Sequence, residues 1–263
     1  MDRLMSLAAG VCPETEPAAF VTAAAAAGWP ACGIWFDADT WTDAVARDVR
    51  QRLDDTGVVA LDMEPIFVTP DGDDVTDHGD RVIEAAAAVG ARNLLIVSRG
   101  VSDAQFTDRF AELCDAAGAH GIGCSIEFLA FMSVSSLPQT LGILDAVDRP
   151  NGNVLVDHLH LERTGGTVAD VAQVDPARLA YVQLCDIHAA DPPDVPSMIT
   201  EALDLRLNVG DGDLAVQELI DVLPEHTALS FEIRSAALRR DFPDPADRAR
   251  HVLEATRSAL ASS

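Results

Sequence analysis

The sequence predicts an α/β protein, a single-domain (β/α)8 TIM barrel covering residues 1–263. Strand-like apolar runs alternate with helix-like runs about eight times, at about 30 residues per unit, as in parallel βα units. No linker or low-complexity segment divides the chain. A doubly wound open sheet is the alternative. It would usually have a glycine-rich phosphate loop after the first strand, and Gly10-Val11-Cys12-Pro13 is not such a loop.

The expected strands are apolar runs bounded by glycine, proline or polar residues. In chain order they are Leu4–Ala9, Cys32–Phe36, Val58–Val68, Asn93–Ser98, Gly121–Phe128, Asn153–His158, Leu179–Cys185 and Ala228–Ile233. The expected helices lie between and after these strands. They are Glu16–Ala27, Trp41–Asp54, Asp74–Val89, Asp103–His120, Leu137–Val147, Thr167–Val174, Asp213–Leu223 and Pro245–Ala261.

One connection is much longer than the others, from Ile187 to Gly212 after the seventh strand. We interpret it as a structureless connection, and structureless connections of this length inside a compact domain are usually functional. We therefore expect this connection to have a functional role.

Composition excludes several classes of function. The net charge of -25 disfavours nucleic acid as a partner, because binding phosphates requires a basic surface. All 18 basic residues are arginine, so a Schiff-base, pyridoxal phosphate or P-loop lysine is excluded. Five scattered cysteines, no apolar run of membrane-spanning length and no signal-peptide pattern predict a cytoplasmic protein without a membrane partner.

Polar residues stand where four successive strands end, at Glu127, Asp157, Gln183 and Glu232. Side chains alternate between the two faces of a strand, and in all four strands this residue lies on the less apolar face. The more apolar face suits packing against the outer helices. The four side chains are therefore expected to point together into the mouth of the barrel, where the active sites of such barrels lie.

Three buried carboxylates require a compensating cation. The chain has no lysine to supply one, so a divalent metal or an arginine must do so. A ligand set made only of oxygen atoms suits Mg²⁺ or Mn²⁺ better than Zn²⁺. We therefore expect one divalent ion, Mn²⁺ or Mg²⁺ first, with Co²⁺ or Zn²⁺ as alternatives.

Four segments resemble the xylose isomerase-like TIM barrel superfamily, and the resemblance covers essentially the whole chain. They are Ser125-Ile126-Glu127-Phe128, Asp157-His158-Leu159-His160, Gln183-Leu184-Cys185-Asp186 and Phe231-Glu232-Ile233. This superfamily contains sugar isomerases and epimerases, inosose and 3-dehydroshikimate dehydratases, and endonuclease IV-type enzymes. The endonuclease branch needs more histidine ligands than can be placed here.

The resemblance implies one divalent metal bound by four residues, with two others contacting the substrate. The metal ligands would be Glu127, Asp157, Gln183 and Glu232, and the substrate contacts His160 and Arg206. Many members have histidine where this chain has Gln183, although glutamine is found there in dehydratase-like members. Arg234 and Arg99 are further candidates for binding an anionic group, whereas His158 and Asp186 are expected to have structural roles.

The expected reaction begins with removal of a proton next to a carbonyl group. Related epimerases use the two glutamate ligands as the acid and base, which implies catalytic roles for Glu127 and Glu232, with His160 beside them. The first expectation is an isomerase or epimerase of a small polyhydroxylated carbonyl compound, a sugar or cyclitol. A dehydratase of the 3-dehydroshikimate or inosose type is the alternative, and a non-catalytic sugar-binding barrel is the third. Barrels of this kind often form homodimers.

Overall fold

The computed structural model describes residues 3–70, 72–190, 192 and 194–261, and of residues 72–77 only the backbone. Eight parallel strands, each paired with the next in chain order, form a closed barrel in which β8 pairs with β1. The predicted (β/α)8 barrel is confirmed. The strands are β1 (Met5–Leu7), β2 (Ala31–Trp35), β3 (Val59–Val68), β4 (Asn93–Ser98), β5 (Gly123–Glu127), β6 (Gly152–Asp157), β7 (Tyr181–Leu184) and β8 (Ala228–Phe231).

Eleven α-helices are found in the described residues, and most of them surround the barrel. They are α1 (Pro17–Ala27), α2 (Asp43–Thr56), α3 (Gly72–Val89), α4 (Asp103–Gly118), α5 (Leu137–Val147), α6 (His158–Arg163), α7 (Val168–Val171), α8 (Val195–Asp204), α9 (Val216–Val222), α10 (Ala236–Asp241) and α11 (Pro245–Ala261). Short 3-10 turns follow β1 at Ala9–Val11 and precede β7 at Pro176–Arg178.

All eight predicted strands and all eight predicted helices are present, with ends that differ by a few residues. The prediction of an irregular connection from Ile187 to Gly212 is wrong, because this segment contains α8. The Asp194 side chain caps this helix by accepting a hydrogen bond from the Ser197 backbone N–H at 2.9 Å. Helices α6 and α10 are likewise absent from the prediction.

Two apolar clusters occupy the two faces of the sheet. The larger cluster lies between the strands and the outer helices. The smaller one fills the inside of the barrel and includes Leu155 and Tyr181. These two residues precede Asp157 and Gln183 by two positions, so the same inward face carries the candidate ligands. The predicted alternation therefore describes the strands correctly.

None of the helices in the described ranges is both long enough and apolar enough to cross a membrane. All five cysteines, at positions 12, 32, 114, 124 and 185, are buried and free of disulfide bonds.

Candidate metal centre and active site

A cavity of about 380 Å³ opens at the carboxyl ends of the strands. Glu127 and Glu232, from the two ends of the β5–β8 arc, reach its wall together with His160 and Arg206. Asp157 and its pairing partner Gln183 are fully buried on the two strands between them. The structure therefore brings all the residues predicted for the metal and its surroundings to one end of the barrel.

Asp157 is the most completely hydrogen-bonded of the candidate ligands. Its Oδ1 atom accepts hydrogen bonds from the backbone N–H groups of Leu159 at 2.8 Å and His160 at 3.3 Å, which begins α6. Its Oδ2 atom lies 2.5 Å from an Arg206 guanidinium nitrogen. Burial alone would raise the pKa of Asp157, but Arg206, His160 and these donors hold it below its usual value. Asp157 is therefore held as an anion.

Arg206 joins two of the candidate ligands. One guanidinium nitrogen contacts Asp157, and the other lies 3.1 Å from Glu232 Oε2. The third, Nε, donates to the backbone carbonyl of Ala202 in α8 at 2.9 Å. Arg206 is buried, so these are charge pairs shielded from solvent. The long connection thus delivers the arginine that compensates part of the acidic cluster.

Within the described part of the chain, Glu127 has no guanidinium group in contact. Nε2 of His160 lies 4.0 Å from Glu127 Oε1. Burial, followed by the charges of Asp157 and Glu232, raises the pKa of Glu127 well above its usual value. Burial also lowers the pKa of His160 to about 4, so its imidazole, packed edge-on against Phe131, is neutral at neutral pH.

Gln183 is buried with both polar atoms of its side-chain amide lacking a hydrogen-bond partner among the described residues. An unpartnered buried amide is costly, and native structures rarely keep one without a ligand or ordered water. It stands beside Asp157 in the sheet register. This orphaned amide fits an oxygen ligand to a metal ion.

Two acidic residues on β3 were not predicted from the sequence as residues of the site. Asp62 and Glu64 are both buried. Both carboxylate oxygens of Asp62, and Oε1 of Glu64, lack a hydrogen-bond partner among the described residues. Burial, with a further contribution from Glu232, raises the pKa of Asp62 to about 7. The signal was available in the sequence, since Leu61-Asp62-Met63-Glu64 places two acids inside an otherwise apolar strand.

The charges of this region do not balance within the described residues. Five carboxyl groups face three guanidinium groups, which leaves a formal charge of −2 if all are ionised. The carboxyl groups are those of Asp62, Glu64, Glu127, Asp157 and Glu232, and the guanidinium groups are those of Arg99, Arg206 and Arg234. Ligand atoms of Glu127, Asp157 and His160 lie within 4.8 Å of one another. The excess charge, this spacing and the orphaned Gln183 amide together fit a divalent cation.

Arg234 stands at the cavity wall above the Trp35 ring, with its guanidinium carbon 5.6 Å from the ring centroid. Its Nε atom is buried and has no hydrogen-bond partner in the described part of the chain. Close approach of this side chain depends on Gly10. A Cβ atom at Gly10 would come within 2.6 Å of Glu232 Oε1 and 3.1 Å of Arg234 Cδ.

The remaining candidates lie around this centre. Arg99 reaches the cavity and stacks over Phe67 at 4.0 Å. Asp186 accepts hydrogen bonds from the backbone N–H groups of Ile187, Gly210 and Leu214, so it organises the long connection. His158 is buried beside a different surface pocket.

Comparison with known proteins places these features in a family. A model described as xylose isomerase-like TIM barrel matches residues 21–259. A 2-oxo-tetronate isomerase from Pectobacterium atrosepticum is 24% identical over 128 residues, covering 44% of this chain and 49% of that protein. The matched region thus spans about half the length of this curated relative.

Solved structures share the fold at low identity. A xylose isomerase-like TIM barrel/4-hydroxyphenylpyruvate dioxygenase fusion protein has a TM-score of 0.83 at 18% identity, covering 100% of this chain and 44% of that one. An IolI protein with a bound zinc atom has a TM-score of 0.79 at 14% identity, covering 98% and 96%. D-psicose 3-epimerase from Clostridium cellulolyticum H10 has a TM-score of 0.72 at 11% identity, covering 97% and 99%.

Proposed function

The chain belongs to the xylose isomerase-like TIM barrel family, and we propose that it is a divalent-metal-dependent isomerase or epimerase of a small hydroxycarbonyl compound. The observation that carries the proposal is the placement of Glu127 and Glu232. Both are buried and line the same cavity from opposite ends of the β5–β8 arc. A compound bound between them would meet one carboxyl group from each end.

We assign Glu127, Asp157, Gln183 and Glu232 as the metal ligands. When bound, a divalent ion supplies Lewis-acid polarisation of the substrate carbonyl. Oxygen donors favour Mn²⁺ or Mg²⁺. The position of His160 beside Glu127 and Asp157 adds a nitrogen donor that would favour Co²⁺ or Zn²⁺. The zinc bound to the IolI protein, which shares this fold, is in keeping with that alternative.

The two glutamates have different surroundings, which supports distinct roles. Arg206 lies against Glu232, and its charge opposes the increase in pKa that burial causes there. Among the described residues, Glu127 has no guanidinium group in contact, and its neighbouring basic group is His160. We assign Glu232, whose carboxylate form Arg206 favours, as the group that removes the proton, and Glu127, beside His160, as the group that returns it.

His160 and the two arginines would position the substrate. The neutral imidazole of His160 can donate or accept a hydrogen bond at a substrate hydroxyl. Arg206 orients Glu232 and Asp157 and lines the cavity. Arg234, two residues after Glu232, lines the cavity, where it could bind an anionic group.

The placement of Glu127 and Glu232 on the wall of one cavity also supports a second candidate, a dehydratase. A group that delivers a proton from the Glu127 position can give it to a departing β-hydroxyl group as well as to a carbon atom. The same proton abstraction by Glu232 would then lead to loss of water. The two outcomes differ only in the atom that receives the proton.

The test combines metal analysis with proton exchange. Glu127→Gln and Glu232→Gln are each expected to reduce Mn²⁺ binding and to abolish solvent deuterium incorporation into a panel of hydroxyketones and cyclitols. Glu162→Gln, at an exposed position on α6, is the matched control and should change neither. Deuterium in recovered or isomerised substrate supports the isomerase or epimerase, whereas an enone absorbance without exchange supports the dehydratase. Unchanged metal stoichiometry in both glutamate variants would refute the site.

A further inference from the structure

We propose that the cavity accepts a hydroxycarbonyl compound with an apolar, ring-like body and one acidic group, rather than a polyhydroxylated sugar. This inference rests on the proposed function, because it assumes that the carbonyl end of the substrate lies at the acidic floor. The features that carry it are the apolar wall of the cavity, the exposed apolar face of α8, and an arginine, Arg234, whose buried Nε donor has no hydrogen-bond partner in the described part of the chain.

Above the acidic floor the wall of the cavity is mostly apolar, apart from His160, Arg99 and Arg234. Its apolar side chains include those of Trp35, Phe67, Leu129, Phe131, Ile199 and Leu203. No serine, threonine, asparagine, glutamine or tyrosine is among the described residues that line it. Substrate hydroxyl groups beside this wall would lose hydrogen bonds to water and gain none, which disfavours a polyhydroxylated ligand.

Helix α8 contributes an apolar face that the protein itself leaves uncovered. Ile199 and Leu203, four residues apart and therefore on one face, are 38% and 40% exposed and line the cavity. Val195, one turn earlier, is 49% exposed and lies outside the cavity. An apolar ligand body would remove the Ile199 and Leu203 side chains from water, which favours binding.

The acidic group is assigned from the difference between two arginines. Arg206 is saturated by Asp157, Glu232 and a backbone carbonyl. Arg234 contacts the Trp35 ring, and its buried Nε donor has no partner in the described part of the chain. A ligand carboxylate would satisfy this donor through a charge-assisted hydrogen bond. Arg99 lies farther out, stacked on Phe67 in an exposed position.

The cavity size agrees with such a ligand. Its volume of about 380 Å³ is near the lower end of small-molecule sites, which are roughly 300–1,000 Å³. This space accommodates one ring with a hydroxycarbonyl group at one end and a single acidic group at the other.

The experiment uses Mn²⁺-loaded protein and hydroxamates, which present the same bidentate metal-binding head on different bodies. Calorimetric titration would compare benzohydroxamate, its 3- and 4-carboxy derivatives, and D-erythronohydroxamate. Benzohydroxamate should bind about 10-fold tighter than D-erythronohydroxamate, and at least one carboxy derivative should gain about 10-fold more. The inference is overturned if D-erythronohydroxamate binds more tightly than benzohydroxamate.

Variants separate the two parts of the inference. Arg234→Met should remove the gain from the carboxylate and leave benzohydroxamate binding intact. Ile199→Thr should weaken benzohydroxamate about 3- to 10-fold and leave D-erythronohydroxamate unchanged. Val195→Thr on the same helix is the matched control and should affect neither compound. A carboxylate gain that persists in Arg234→Met would contradict the assignment of the arginine.

Metal uptake distinguishes failure of this inference from failure of the proposed function. If the protein takes up no Mn²⁺, the proposed function fails and the substrate inference fails with it. If Mn²⁺ binds with the expected dependence on Glu127 and Glu232 but the hydroxamates show no preference, only the substrate inference is refuted.

Discussion

Replacement of Arg206 tests how the acidic centre is held together. In Arg206→Met the apolar stem is largely retained, but Asp157 and Glu232 lose their shared cation. All three residues are buried, and removing one partner of a buried charge pair costs about 3–5 kcal/mol. An unfolding entropy of about 2 cal/mol/K per residue gives about 0.5 kcal/mol/K for this chain. The melting temperature of the metal-free variant should therefore fall by about 6–10 °C.

A divalent ion should reverse much of this loss. Once Arg206 is absent, neither carboxylate has a guanidinium group in contact within the described residues, so both should bind Mn²⁺ more tightly than in the wild type. In excess metal the gap between the two proteins narrows by RT ln of the ratio of their dissociation constants. Halving a loss of about 3–5 kcal/mol corresponds to binding that is roughly 10- to 70-fold tighter in the variant. We expect the difference in melting temperature between wild type and variant to shrink to about half or less in excess Mn²⁺.

Thermal unfolding in EDTA and in Mn²⁺ measures this effect, and Arg248→Met is the matched control. Arg248 is a buried arginine of α11 that pairs with the half-exposed Glu14 and donates to the backbone carbonyls of Phe242 and Val11. Its loss should lower the melting temperature equally under both conditions. If Arg206→Met costs the same with and without Mn²⁺, the ion does not act on Asp157 and Glu232, and the reasoning fails.

Three further predictions concern the same centre. Gly10→Ala should weaken Mn²⁺ binding about 10-fold, because a Cβ atom 2.6 Å from Glu232 Oε1 must displace that carboxylate. Gly142→Ala, which has open space around it, is the control and should leave Mn²⁺ binding unchanged. Equal effects of the two substitutions would contradict the assignment of Glu232 as a ligand. Burial raises the pKa of Asp62 from 3.8 to about 7, so its contribution to the stability of the fold falls as pH rises through this range. The free energy of unfolding of Asp62→Asn, measured by urea unfolding in EDTA, should therefore increase relative to that of the wild type by roughly 1 kcal/mol per pH unit between pH 4 and 7. A difference that stays constant with pH would refute this prediction. Because burial raises the pKa of Glu127, protons compete with the metal there, and calorimetry should show Mn²⁺ affinity increasing from pH 6 to pH 8 in the wild type and less steeply in Glu127→Gln.

The residues of β5 to β8 could be predicted from the sequence because their signal is local. Each of these strands is a short apolar run with regular alternation, and Glu127 or Asp157 ends its run on the inward face. Strand β3 is different, because its register shifts against both neighbouring strands. An irregular register interrupts the period of two, so the face of Asp62 and Glu64 cannot be read from alternation.

The pairing of Arg206 with Asp157 could not be predicted, for a different reason, although the family resemblance implied that Arg206 contributes to the site. The residue stands 49 positions from Asp157, and their contact depends on α8, whose existence the sequence analysis missed. The helix is short, has Pro196 in its first turn and exposes apolar side chains to solvent. Its periodicity is therefore weak evidence, and only the folded chain shows that Arg206 pairs with Asp157 and Glu232.

The absence of lysine determines how this centre can respond to pH. An arginine remains protonated at every pH that the protein meets, so Arg206 keeps Asp157 charged whether or not a metal is bound. Among the described residues, three carboxyl groups of this centre have no guanidinium group in contact, and burial raises the pKa of each; they are those of Asp62, Glu64 and Glu127. A metal ion that binds Glu127 must displace any proton bound there. Metal binding and proton release are thus coupled at the side chain proposed to return a proton to the substrate, and the arginine fixes the opposite side of the site in its charged form.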